Sequence, residues 1–200
     1  MTSSTIIGNV YDKYGTRNPV ARWLMNGFLS AVSELYLLAR PKRVLEVGCG
    51  EGKLADHLMG LTHQPEQFEA CDISLDKLAP GLNERIHFSA ADIYQLPFES
   101  GKFDLVVCCE VMEHLDEPAR GLAEIARVSS GWLLVSTPRE PLWRILNLAR
   151  GQYLTDLGNT PGHVQHFSQT QLLRLLATQM QVTEVRSPLP WTVALGRKRT

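Results

Sequence analysis

Apolar residues recur along this chain with two different periods, and each change of period marks a new element. From Pro19 to about Ala39, the residues Val20, Trp23, Leu24, Phe28, Leu29, Val32, Leu35 and Leu38 return at helical spacing. They predict an amphipathic helix with Pro19 in its first turn, closed by Pro41. Shorter apolar, β-prone runs at Arg43–Val47, Gln67–Cys71, Arg85–Phe88, Phe103–Cys109 and Trp132–Ser136 predict five strands. Helical patterns lie between them at Lys53–Met59, Ser74–Leu78 and Glu117–Val128, and a later one spans Ser168–Met180 with Ser168 as N-cap. Val182–Arg186 and Thr192–Gly196 predict two closing strands, separated by Ser-Pro-Leu-Pro-Trp. Such alternation predicts an α/β fold: a doubly wound, mostly parallel sheet of seven strands with helices on both faces. The closing pair is joined by too short a loop for a parallel crossover, so the last strand is expected to run antiparallel.

Length and charge narrow this picture. The chain has 200 residues, of which 44% are hydrophobic and 20% charged, at a net charge of −1. One domain with a substantial core suits that length. The balanced charge argues against broad binding to nucleic acid or to anionic lipid. The basic end, Arg197-Lys198-Arg199, reads as a solvated tail. Of Cys49, Cys71, Cys108 and Cys109, three lie in or beside strand-like runs, and the vicinal pair would point to opposite faces of its strand. Free thiols packed as small hydrophobes are therefore expected, in a reducing compartment. The first residues show no basic stretch followed by an apolar one, and no apolar run is long enough to span a bilayer. A cytoplasmic protein is the expectation.

The candidate chemistry begins at Val44-Leu45-Glu46-Val47-Gly48-Cys49-Gly50-Glu51-Gly52. A buried strand that turns tightly into a helix needs glycine where the backbone must enter the left-handed region or approach a ligand. The spacing is Gly-x-Gly-x-Gly, not the dinucleotide pattern Gly-x-Gly-x-x-Gly. Glu46, two residues earlier, would repel a pyrophosphate but suits a cationic ligand. Asp72, at the end of the second strand, stands where a carboxylate takes both ribose hydroxyls of an adenosine. Asp92, after the third, suits an adenine amino group. Each acid taken alone also suits a capping role, but three at the ends of three successive strands point to one site.

These residues together resemble the class I S-adenosylmethionine-dependent methyltransferases, in particular the small-molecule enzymes similar to the ubiquinone-pathway O-methyltransferases. Val44–Gly52 matches the glycine motif, Cys71-Asp72 the ribose acid, and Ala91-Asp92-Ile93 with Leu96-Pro97-Phe98 the adenine segment. Phe103-Asp104-Leu105-Val106-Val107 matches the strand that follows, so the resemblance covers about residues 40–137 well. It implies a Rossmann-like fold and S-adenosyl-L-methionine as cofactor. It further implies that Glu46 and Gly48 line the methionine end, Gly50 admits the adenosyl part, Asp72 holds the ribose, and Ile73 packs on the adenine. Asp92 and Ile93 would bracket the adenine edge, Glu110 would face the methionine moiety, and Tyr14 would cover the cofactor.

A second cluster is Glu110-Val111-Met112-Glu113-His114. In a helical turn Glu110, Glu113 and His114 share one face. Two carboxylates and an imidazole suit a divalent metal, and hard oxygen ligands suit Mg²⁺. A further ligand would come from His163 or His166, and His166 completes the expected set of Glu110, Glu113 and His114. The pattern is similar to a metal site that ubiquinone-pathway and small-RNA 2′-O-methyltransferases place near the acceptor oxygens. Without a metal, His114, His163 or His166 suits the role of general base.

The connection from the fifth strand to the last helix, about 138–167, is long enough to be a lid. It carries Leu142, Trp143, Ile145, Leu146 and Leu148 around Arg144 and Arg150, the makings of a short amphipathic helix. Packing as lid or core is favoured, with contact to a membrane surface as the alternative. The whole then reads as one methyltransferase domain, 1–200, with an N-terminal helical cap at about 1–40. The expected reaction moves a methyl group to a small-molecule acceptor, a hydroxyl oxygen first, with carbon or nitrogen as alternatives. A non-catalytic cofactor-binding module is the rival from another class, and nucleic acid is not an expected partner.

Overall fold

The computed structural model describes residues 18–149 and 157–199. Tyr14, expected over the cofactor, lies outside the described residues. Helix α1, Pro19–Ala39, starts at Asn18, whose side chain accepts from the N–H groups of Val20 and Ala21. Its buried stripe is Met25, Phe28, Ala31, Val32, Leu35 and Tyr36, whereas Val20, Trp23 and Leu38, counted in the apolar pattern, face outward. The strands are β1 (Arg43–Val47), β2 (Gln67–Asp72), β3 (Ile86–Ala90), β4 (Phe103–Cys109), β5 (Ser129–Pro138), β6 (Met180–Arg186) and β7 (Trp191–Lys198). Helices α2 (Lys53–Met59), α3 (Pro118–Val128), α4 (Leu142–Ala149) and α5 (Gln169–Leu176) complete the described α-helices.

The seven strands form one sheet in the order β3-β2-β1-β4-β5-β7-β6. β1 to β5 are parallel, and β7 runs antiparallel to both β5 and β6. The order turns back between β1 and β4, the place where an open α/β sheet holds its ligand. Side chains of α1 and α2 fill one face of the sheet, and those of α3 and α5 the other. The two central parallel strands are apolar on both sides, as burial under two helical layers demands. All four cysteines are buried free thiols, as their setting in apolar runs implied.

Several sequence expectations change in the folded chain. Ser74–Leu78 is a turn, not a helix: Ser74 Oγ donates to Asp76 Oδ2 at 2.8 Å, and Ala79 N–H donates to Glu51 O at 3.0 Å. Serine and aspartate here offer the backbone an alternative to helical bonding. β5 begins at Ser129 and ends at Pro138, longer at both ends than its apolar run, because β7 pairs with it as far as Pro138. The basic end is no free tail. Lys198 Nζ donates to Ser129 O at 2.9 Å, and Arg197 lies 3.7 Å over the Trp132 ring. Leu96–Phe98 is held by α3, since Arg127 donates to the carbonyls of Leu96 and Phe98 while Glu124 accepts from Leu96 N–H.

The last helix is shorter than its pattern because β6 starts at Met180, and its start is tightly specified. Ser168 Oγ accepts from Gln171 N–H at 3.3 Å, and Gln171 Oε1 accepts from Ser168 N–H at 2.9 Å, a reciprocal capping box. Replacing Ser168 by Ala is expected to lower the unfolding free energy by about 1 kcal/mol. Ser168→Thr should keep most of it; urea denaturation of the three proteins measures both effects.

Candidate active site

The carboxyl ends of β1, β2 and β4 meet around the glycine turn. Gly48 takes φ +79° and Gly50 φ +53°, both in the left-handed region. A Cβ on Gly48 would collide with the methyl groups of Val111, so the absent side chain is what lets the segment after β4 lie against the turn. At Gly50, which is half-buried, an added Cβ would meet nothing within 4 Å among the described residues, so the space beside its backbone is open to a ligand. Gly48 and Cys49 N–H both donate to Cys71 O, at 2.7 and 3.0 Å. Asp72 adds a side-chain clamp: Oδ2 accepts from Gly50 N–H at 2.8 Å and Oδ1 from Ile73 N–H at 2.7 Å. Ile73 itself is 56% exposed, an apolar side chain beside the clamp with no cover.

Glu46 is the electrostatic centre of this turn. Its register partners are Ala70 on β2 and Val107 on β4, and it is only 2% exposed. Oε2 has no hydrogen-bond partner among the described residues. Burial first, and then the charge of Asp72, push its carboxyl up to about 8, against a smaller opposing effect of the Ala55 N–H. The same setting raises the neighbouring thiols, that of Cys71 to about 12. They are therefore inert as nucleophiles near neutrality.

Asp92 follows β3 and is exposed; its Oδ1 accepts from Tyr94 N–H at 2.9 Å, the local turn bond of its residue type. It stays next to the clamp because Ala91 N–H donates to Asp72 O at 2.8 Å. Ile93 packs towards Gly121 on α3 and into the core on that side of the sheet.

The cluster after β4 is arranged differently from its sequence reading. Glu110 has φ +61°, and the helical turn is a short 3-10 segment, Met112–His114. The left-handed residue breaks the helical face on which Glu110, Glu113 and His114 were to converge. Glu110 turns instead to β5 and β7, where Ser136 Oγ donates to Oε1 at 3.3 Å and Trp191 Nε1 donates to Oε2 at 2.7 Å. His166 also leaves the set, its Nδ1 lying 3.8 Å from Glu140 Oε1. The group that does come together is Glu113, His114 and His163, with one ligand atom from each within 4.8 Å of the others. Two ring nitrogens and one carboxylate are a softer donor set than the oxygen-rich one expected for Mg²⁺, and they fit a transition ion such as Zn²⁺ better.

His114 Nδ1 lies 2.8 Å from Gly162 O. A carbonyl can only accept, so Nδ1 carries a proton, and in the neutral ring the lone pair is on Nε2. The His163 ring meets that of His114 edge to face at 4.9 Å, and Trp143 lies 6.2 Å from His163 at 24°. Glu113 O accepts from the N–H groups of Val164 and Gln165, which ties the segment before α5 to the 3-10 turn. Trp191 and Ser136, the partners of Glu110, escaped the sequence reading. Their bonds span 81 and 26 residues, and no local spacing encodes them.

Comparison with known proteins agrees with this architecture. Residues 21–179 match the family model described as a methyltransferase domain, and the chain belongs to that family. A norajmaline N-methyltransferase of Rauvolfia serpentina is 33% identical over 99 residues, 46% of this chain and 33% of the relative. The mitochondrial ubiquinone biosynthesis O-methyltransferase of Candida albicans is 35% identical over 105 residues, 47% of this chain and 32% of the relative. The chain thus spans about a third of the length of these curated relatives. In fold it is similar to the N-methyltransferase NodS of Bradyrhizobium japonicum, solved with S-adenosyl-L-homocysteine. There the TM-score is 0.69 at 17% identity, over 96% of this chain and 94% of that one.

The buried Glu46 carboxyl makes a pH-dependent prediction. Its folded pKa of about 8 exceeds the ordinary 4.5, so the folded chain binds the extra proton between those values. Stability then falls as pH rises through that window. In ligand-free protein, Glu46→Gln should gain thermal midpoint over wild type at pH 8.5 but little at pH 5. An equal difference at both values, measured by thermal denaturation, would show that Glu46 carries no such penalty.

Proposed function

We propose that this chain is an S-adenosyl-L-methionine-dependent methyltransferase acting on a small molecule, with a hydroxyl oxygen as the acceptor. The observation that carries the reading is Glu46: a buried carboxylate with one oxygen unpartnered among the described residues, beside the glycine turn. A buried acid without a partner is costly, and a ligand bearing positive charge offsets that cost. Family membership and the fold support the same donor.

When bound, the cofactor would supply a methyl group on a positively charged sulfur. The chain's own residues then have distinct work. Glu46 provides counter-charge, Gly50 clearance for the backbone approach, Asp72 a carboxylate for the ribose hydroxyls, and Ile73 an apolar face for the adenine. Asp92 and Ile93 stand at the adenine edge. Glu110, held by Ser136 and Trp191, is a braced wall on the methionine side. At the acceptor end, His114 Nε2 takes the proton from the hydroxyl, because Gly162 O holds the other ring proton in place. Methyl transfer then depends chiefly on alignment, which a rigid frame supplies.

A second reading rests on the convergence of Glu113, His114 and His163. Those three would hold a divalent transition ion, and the ion would supply a lowered pKa for a bound hydroxyl.

Calorimetric titration with S-adenosyl-L-methionine tests the first reading: wild type should bind, and Asp72→Ala should weaken binding by about tenfold to a hundredfold. A wild-type protein that does not bind ends the proposal. Metal content of the purified protein separates the two acceptor-side readings. Activity that survives a chelator yet is lost in His114→Ala favours the base; activity lost to the chelator and restored by Zn²⁺ favours the ion.

A further inference from the structure

Helix α4 is built inside out. Asn147 is buried at 1% exposure, while Ile145 (55%) and Leu148 (38%) face solvent. A buried amide on a helix is expensive unless it is bonded, and here its bonds lead to the return half of the lid. Asn147 Nδ2 donates to Gly158 O at 2.9 Å and to Thr160 Oγ1 at 3.3 Å. Trp143 Nε1, one turn earlier on the same helix, donates to the same Thr160 Oγ1 at 2.8 Å. Both lone pairs of that hydroxyl oxygen are thereby used by α4. The turn then passes the constraint on, because Thr160 O accepts from His163 N–H at 3.1 Å. The Trp143 ring lies 6.2 Å from that of His163, while His114 meets the same imidazole edge to face at 4.9 Å.

We propose that Trp143 and Asn147 are positioning residues for the acceptor end of the site: acting through Thr160, they fix His163 against His114. The inference rests on the reading in which those two histidines face the acceptor. It assigns to α4 a task that its apolar pattern does not express. The helix is a splint, and its polar inner residues matter more than its amphipathicity. It also accounts for a buried asparagine where an apolar residue would pack more cheaply. Polar burial at one register specifies one docking of the helix, whereas an apolar face would tolerate several.

The test compares Thr160→Val with Thr160→Ser in the full chain. Valine keeps the shape and removes the shared acceptor; serine keeps the acceptor. Three readouts are taken: long-range proton–nitrogen NMR spectra of the imidazoles, titration with S-adenosyl-L-methionine, and steady-state kinetics. His163→Ala serves as the spectroscopic reference for a His114 ring that has lost its neighbour. The expected result for Thr160→Val is a His114 ring signal moved towards that reference and kcat lowered tenfold or more. Cofactor affinity should stay within twofold of wild type, and Thr160→Ser should restore ring signals and kcat. Trp143→Phe, which keeps a stacked ring but removes the indole N–H, should move the same signal in the same direction even if the valine variant fails to fold. Ring signals at their wild-type positions in the valine and phenylalanine variants overturn the proposal, whatever happens to activity. A wild-type protein that binds no cofactor overturns the functional reading instead, and the ring-signal arm still decides the splint.

Discussion

The left-handed turn after β1 is the constraint on which the rest of the molecule depends. Gly48 can hold its backbone angle and accept Val111 against its Cα only because it carries no side chain. That contact brings the end of β4 onto the end of β1. The bonds from Gly48 and Cys49 to Cys71 O, and from Gly50 N–H to Asp72, bring in the end of β2. Three strand ends are thus locked to one turn by backbone geometry and a single carboxylate. The 3-10 segment Met112–His114 starts directly from Val111, so the second cluster inherits its position from the same glycine.

Glu46 and Glu110 show how one residue type is put to opposite uses at the ends of adjacent strands. Glu110 sits in an unfavourable backbone region, yet its oxygens accept from Ser136 and Trp191. Hydrogen bonding and the packing of Trp191 against Phe28, 5.0 Å between ring centres, offset the strain and make it part of the frame. Glu46 is deeper but has an oxygen without a partner among the described residues and a like charge nearby. The first arrangement closes its own account within the fold. The second is destabilising unless something positive arrives, a local frustration left within the fold.

Elements that depend on local pattern were legible in the sequence. Helix α1, strands β1 and β4 and helix α2 occupy the residues their periodicity predicts, since each buries a continuous apolar face on a neighbour fixed by topology. Legibility stops where a side chain or a distant strand overrides the period. Ser74–Leu78 has helical spacing, but Ser74 and Asp76 bond each other and Glu51 draws in Ala79. Glu110–His114 has the spacing of one helical face, but β5 and β7 capture Glu110 and tip it into the left-handed region. For the same reason Glu113, His114 and His163 meet without Glu110 or His166. The partner at position 163 comes from the segment before α5, which Asn147 and Trp143 bond at Gly158 and Thr160, and no spacing near Glu113 encodes it.

The two ends of the site therefore answer to different ranges of interaction. The glycine turn and Asp72 sit within one strand–helix–strand unit, so a short stretch of chain is enough to specify them. Local specification of this kind is independent of the course of the chain elsewhere. The cluster of Glu113, His114 and His163 has no such unit. It is assembled from the 3-10 turn, a helix beyond β5 and a return segment, joined by hydrogen bonds such as Trp143 to Thr160 and Asn147 to Gly158. Any substitution along α4 that redirects one of those bonds moves His163 while leaving the sheet and the glycine turn untouched. The geometry of this cluster can thus change without cost to the sheet, whereas that of the glycine turn cannot.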